Sequence, residues 1–349
     1  MTLTEIFRWS RTISKPPIST AASASESAHR PSTRQTQPFP WVLAYFRQVY
    51  SHRVEQTPNG VELVKLTDED LLIEALHLAY SRDGTHWTAL NNNRPILSVS
   101  PTFPGLRDPF LQRGRDGAFH LVGTGGSERR DILYSRSPDL IAWEPPRSLP
   151  VMRAIPEAKN AWAPEFLYDP AQDNYFVYWS SSHGRYGWDD SRIWCARTSD
   201  FSQFSAPRLL FDPGFTVIDA TIVPLDDVFY MFFKDERFGH PHGEHRAIRV
   251  ALGAHLEGPY QIQTEHITPI ITEGPAVQPL PNSDRWLLLY DYCMDNRYGA
   301  SISTDLLHWD MVENAAFPPN ARHGSICAVS EEELTGLLQA FGPADSASP

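Results

Sequence analysis

A repeat of about fifty-five residues limits what this chain can fold into. From Trp41 onward a short strand, a polar turn and a closing aromatic recur as LAYSRDGTHW (78–87), LYSRSPDLIAW (133–143), CARTSDFSQF (195–204) and SISTDLLHW (301–309). A degenerate copy, VALGAHLEGPY (250–260), fills the gap. The closing aromatics Trp87, Trp143, Phe204, Tyr260 and Trp309 are spaced 56, 61, 56 and 49 residues apart. Aromatic-rich strands recur in phase: FHLVGT (119–124), YFVYWS (175–180), FYMFFK (229–234) and WLLLYD (286–291). Turn signals such as Arg115-Asp116-Gly117 and Asp173-Asn174 precede them. LRDPF, WAPEF, VIDATIV, ITEGPAV and RHGSICAV open the units. Four strands per unit at this period predict an all-β, five-bladed β-propeller.

The fifth unit is split. RHGSICAV lies near the C-terminal end, while VLAYF (42–46), LHLAYS (76–81) and Trp87 lie at the other. Joining them in one sheet closes the ring without a free edge. Ser330, with Glu333 three residues on, then predicts a capping box that starts a short helix. One propeller domain over 39–341 is expected, followed by a disordered tail at 342–349.

Residues 1–38 carry thirteen Ser/Thr, five Lys/Arg and two acids, Glu5 and Glu26, with no apolar core of signal-peptide length. The expectation is a disordered leader; the composition also resembles a transit peptide. No run of eighteen apolar residues exists, so no membrane-spanning helix is expected. A net charge of −12 argues against a nucleic-acid surface. Cys195, Cys293 and Cys327 are scattered and form no CxxC, so they are expected as buried thiols. Unpaired cysteines, the absence of any Asn-x-Ser/Thr and the lack of a secretory signal favour the cytoplasm, with location otherwise unknown.

The opening strand of each blade lines a propeller's central channel. Asp108, Glu165, Asp219, Glu273 and His323 are expected at equivalent places there, spaced 57, 54, 54 and 50 residues. Each acid has a plain alternative: Asp-Pro is a common turn pair, and Arg107 could simply neutralise Asp108. Glu257-Gly258-Pro259 repeats the tripeptide of Glu273-Gly274-Pro275 at the wrong phase, so phase and not the tripeptide marks Glu273. Carboxylates around one pocket suit glycoside hydrolysis, in which one protonated acid serves the leaving oxygen and one carboxylate activates water. Trp162 and Trp188 offer flat faces to sugar rings, or else pack between blades.

The ordered set Asp-Pro, Ile-Asp and Glu-Gly-Pro, with Trp162-Ala163-Pro164-Glu165, resembles glycoside hydrolase family 43 over about residues 41–330. The resemblance implies an inverting glycosidase on arabinose- or xylose-containing glycans, of the α-L-arabinofuranosidase or β-xylosidase type. It assigns Asp108 as general base, Glu273 as general acid and Asp219 as the residue that orients the acid and raises its pKa. Arg107, Trp162, Glu165, Trp188 and Arg297 are the expected substrate-binding residues. His323 resembles a fifth-blade histidine that helps hold a hydrated cation, so a structural calcium in the channel is entertained although no cofactor is required. Ala220 stands where many members have proline. The expected partner is an oligo- or polysaccharide substrate, with no nucleic acid and no membrane, and the protein is expected to be a monomer.

Alternatives are a catalytically silent carbohydrate-binding propeller, or a galactan- or fructan-acting propeller glycosidase. The fructan reading lacks Asn-Asp-Pro-Asn and Glu-Cys signatures, and Trp-Asp repeat pairs are missing too. His183, Arg185, Lys234, Arg237, His240 and His242 are secondary candidates at the same blade ends. The spacing of HPHGEH (240–245) fits no standard zinc pattern, so a solvated loop is expected there.

Overall fold

A computed structural model describes residues 40–48, 52–57, 60–65, 74–99, 101–184, 188, 190–295 and 297–342. The chain opens with β1 (Trp41–Arg47), a hairpin of β2 (His52–Thr57) and β3 (Gly60–Lys65), then β4 (His77–Ser81) and β5 (Thr88–Ala89). Blade I follows as β6 (Arg107–Arg113), β7 (Phe119–Thr124), β8 (Ile132–Ser137) and β9 (Arg147–Leu149). Blade II is β10 (Trp162–Asp169), β11 (Asn174–Ser181), β12 (Arg192–Thr198) and β13 (Arg208–Phe211). Blade III is β14 (Val217–Leu225), β15 (Val228–Asp235), β16 (Ala247–Gly253) and β17 (Tyr260–Ile262). Blade IV is β18 (Glu273–Pro279), β19 (Trp286–Tyr292), β20 (Arg297–Ser303) and β21 (Asp310–Met311). The last strand, β22 (Ala321–Ala328), becomes the innermost strand of blade V in the order β22-β1-β4-β5.

The five-bladed propeller and its split fifth blade are therefore as expected. The β2–β3 hairpin is an insertion that the repeat did not announce. Leader residues 1–38, the tail from 343 and Arg185 lie outside the described residues. No described helix is long and apolar enough to cross a membrane.

The recurring polar turn has a physical cause. Ser81, Ser137, Thr198 and Ser303 each accept, through the side-chain oxygen, the N–H of the residue three positions on, at 2.8–2.9 Å. That residue is Gly84, Leu140, Phe201 or Leu306, with φ of 81°, 66°, 59° and 66°. Left-handed leucine and phenylalanine cost of order 1 kcal/mol each, which the side-chain bonds and burial offset. Trp87, Trp143 and Trp309 then donate their indole N–H to the carbonyl of the same left-handed residue. The closing aromatic is thus the lock of the turn as well as packing between blades.

α1 (Glu331–Phe341) starts with the expected capping box: Glu333 N–H donates to Ser330 Oγ at 3.1 Å, and Ser330 N–H to Glu333 Oε2 at 2.8 Å. Its buried Leu334 and Leu337 pack with Phe119, Leu121 and Leu140 of blade I.

Candidate active site

Every innermost strand carries a two-residue bulge near its start, where register breaks between Arg107 and Phe110, Trp162 and Glu165, Ile218 and Thr221, and Glu273 and Ala276. In β22 the bulged pair is His323-Gly324, between the pairings Ala44–Ser325 and Phe46–Arg322. A β-carbon on Gly324 would lie 2.0 Å from the Ala44 carbonyl oxygen, so only glycine fits. Bulges re-aim side chains, and the first bulged residue takes left-handed φ at Asp108 (50°), Ala163 (44°), Asp219 (55°) and Gly274 (62°).

Aligning the bulges corrects the expected ring. Asp108, Asp219 and His323 are equivalent, Glu273 stands one residue earlier, and Glu165 falls two residues later. Glu273 still reaches the pocket, a cavity of about 180 Å³ that Asp108, Asp219, His323, Arg107 and Trp162 also line. Glu165 instead lines a separate cavity with Tyr178, Thr221 and Gln278. Unequal loop lengths produce near-constant spacings whatever the bulge position, so sequence spacing could not separate these cases.

Arg297 is likewise elsewhere, stacked 3.7 Å over the Tyr292 ring in a cavity against Tyr298 and Phe317. Trp188 is exposed and packs on Trp162, with ring centroids 4.7 Å apart. Trp162 donates its indole N–H to the Ser127 carbonyl at 2.8 Å, which fixes its face at the pocket. Arg107 lies over the Phe46 ring at 5.2 Å, and among the described residues it makes no ion pair with Asp108.

A second regularity supports the bulges. On three second strands, the residue paired with the one before the bulge reaches the bulge of the next blade. Thr124 accepts Ala163 N–H at 2.9 Å, Ser180 accepts Asp219 N–H at 3.0 Å, and Asp291 accepts His323 N–H at 2.8 Å. Lys234 holds the same place in blade III, and its ammonium donates to Glu273 Oε2 at 2.6 Å. Sequence reasoning missed Thr124, Asp291 and Arg322. The signal for the first two was available, because they end the recurring motifs FHLVGT and WLLLYD.

The pocket's electrostatics follow from these contacts. Thr124 donates to Asp108 Oδ2 at 2.6 Å. His323 Nδ1 lies between two carboxylates, 3.4 Å from Asp108 and 3.7 Å from Asp219. Buried Arg322 donates to Glu273 and, at 2.6 Å, to Asp291. Burial raises the Glu273 carboxyl, but Lys234 and Arg322 outweigh burial and hold it well below the ordinary range. Asp219 goes the other way: burial, then the Glu273 charge, push it well above its ordinary range.

A calcium ion takes roughly six to eight oxygen ligands. At His323 the protein offers one imidazole and two carboxylates that face the pocket, and this donor set does not make such a cage. Among the described residues, a tight His/Asp group occurs at Asp235, His245 and His266. There Arg237 and Arg249 already occupy the Asp235 oxygens. His240 and His242 are exposed, as expected of a solvated loop.

A family model described as "Probable glycosyl hydrolase domain" (Glyco_hydro_43_rel) matches residues 62–335. An α-L-arabinofuranosidase of Bifidobacterium longum is 27% identical over 181 residues, 43% of this chain and 17% of that protein. The match thus spans about a sixth of that relative's length. A thermostable family-43 glycoside hydrolase superposes with a TM-score of 0.50 at 16% identity, covering 65% of this chain and 81% of that one. An endo-1,4-β-xylanase from Bacteroides thetaiotaomicron gives 0.51 at 11% identity, covering 81% and 98%. At such identities these two likenesses establish the fold alone.

Proposed function

Because the chain belongs to the glycosyl hydrolase 43-related family, we propose that its pocket cleaves single arabinosyl or xylosyl residues from glycan ends, with inversion at the anomeric carbon. One observation carries this reading: Asp108, Asp219 and Glu273, from blades I, III and IV, converge on one cavity of about 180 Å³. That is below the roughly 300–1,000 Å³ of pockets for larger ligands, and it suits one sugar ring.

In this mechanism Asp108 is the general base. Thr124 fixes one of its oxygens and leaves the other to orient and deprotonate a water. Glu273 protonates the leaving oxygen. Asp219 and Glu273 share one proton, because two buried carboxyls this strongly opposed cannot both ionise freely, and the resulting titration belongs to the pair. Base and acid come from non-adjacent blades, which accords with the roughly 6.5–9.5 Å separation that inversion needs to admit a water. Trp162 supplies the flat face for the sugar.

The test is a panel of nitrophenyl arabinofuranosides, xylosides and galactosides, with the first-formed product anomer followed by proton NMR. Asp108→Asn and Glu273→Gln should each lower kcat at least about 10²-fold, with circular dichroism unchanged. Parent-like turnover in both variants, or a retained anomeric configuration, would refute the assignment.

A further inference from the structure

We propose that Lys234, braced by Glu236, is a positioning residue that aims the Glu273 carboxyl and sets how readily it accepts the proton for the leaving group. The inference rests on Glu273 being the acid. Its first support is a broken pattern. At three junctions the second-strand residue paired with the one before the bulge accepts the N–H of the first bulged residue of the next blade: Thr124, Ser180 and Asp291. Lysine has no acceptor, so at the blade III to IV junction that backbone latch is given up. Phe46, in the same register place of blade V, lacks an acceptor too, but Lys234 replaces the latch with a buried charge aimed at a pocket carboxylate.

The second support is geometric. Lys234 is 2% exposed, and its ammonium lies 2.6 Å from Glu273 Oε2 and 2.7 Å from Glu236 Oε2. Arg322 holds the other Glu273 oxygen. Each carboxyl oxygen is therefore tied to its own cation, which fixes the plane of the group. Glu236 divides the lysine's charge between two anions, so the pull on Glu273 is less than a lone buried ammonium would exert. The other ionisable groups facing Glu273 are Asp219 from β14, Asp291 and Cys293 at the end of β19, and Arg322 and His323 from β22.

The test pairs Lys234→Ser, which restores the latch geometry of Ser180 while removing the charge, with Glu236→Gln, which leaves the ammonium uncompensated. Glutamate labelled with ¹³C at the carboxyl, with the Glu273 signal assigned by its loss in Glu273→Gln, reports the titration directly. The pH profile of kcat/KM reports it through catalysis. In Lys234→Ser the Glu273 midpoint and the basic limb should rise by about one to three pH units. In Glu236→Gln both should fall. An unchanged Glu273 midpoint in the two variants overturns the inference. A shifted midpoint in a protein that hydrolyses no pentoside supports the control of Glu273 by Lys234 and Glu236 and overturns the pentoside assignment instead, so the two failures are distinguishable.

Discussion

Replacing Glu165 by glutamine probes a proton that the structure places inside the propeller. The Thr221 hydroxyl lies 2.6 Å from Glu165 Oε1 and 2.7 Å from the Pro275 carbonyl oxygen. A carbonyl can only accept, and threonine has one hydroxyl proton. That proton goes to Pro275, and the contact with Glu165 then requires a proton on the acid. The Tyr178 hydroxyl meanwhile donates to the other oxygen, Oε2, at 2.7 Å. Burial accounts for the neutral form, carrying the carboxyl from an ordinary 4.5 to about 8.

The sign of the linkage follows. Below pH 4.5 the folded and unfolded chains are both protonated at this site. Between 4.5 and 8 only the folded chain holds the proton, so stability falls as pH rises across that window. At about 1.36 kcal/mol per pH unit, the ceiling between pH 5 and 8 is about 4 kcal/mol. Partial hydration of the unprotonated site would leave about half of that. Glutamine reproduces the neutral pattern, its amide donating to Thr221 and its carbonyl accepting from Tyr178. Urea unfolding of both proteins at pH 5 and pH 8 should therefore show the variant gaining about 2 kcal/mol on the parent between the two. A stability difference that stays constant with pH would refute the neutral-acid argument.

Two further outcomes are expected. Ser180→Ala strands the buried N–H of Asp219 and should cost about 1–3 kcal/mol, seen as a lower urea midpoint with the m-value kept. Asp305→Ala removes acceptors for the Leu307 and His308 amides, and should lower stability by about 1–2 kcal/mol with kcat/KM for a nitrophenyl pentoside unchanged.

Local chemistry that repeats was legible in the sequence. The Ser/Thr-x-Asp turns, the Ser330–Glu333 box and the pairing of RHGSICAV with VLAYF are written in short patterns, and the structure contains all of them. Asp108, Asp219 and Glu273 were legible as pocket residues from their phase in the repeat and from the motifs around them. Glu165 was not, because one step along a bulged strand changes the cavity a side chain enters, and spacing carries no mark of that step. Arg297 was expected to bind substrate, yet it pairs with Asp295 at 3.2 Å and stacks over Tyr292 away from the carboxylate pocket. Arg322 offered no local signal at all, since its partners Glu273 and Asp291 are 49 and 31 residues away.

Ring closure and pocket assembly depend on the same eight residues. β22 seals the circle against β1, and it also delivers Arg322 and His323 to the carboxylates. It follows four finished blades in the order of synthesis. A nascent or prematurely terminated chain lacking this segment has both an unsealed barrel rim and an acid left without one of its two cations. On the proposed mechanism, a cut just before Ala321 would therefore remove the closing strand and one of the two cations that together hold Glu273.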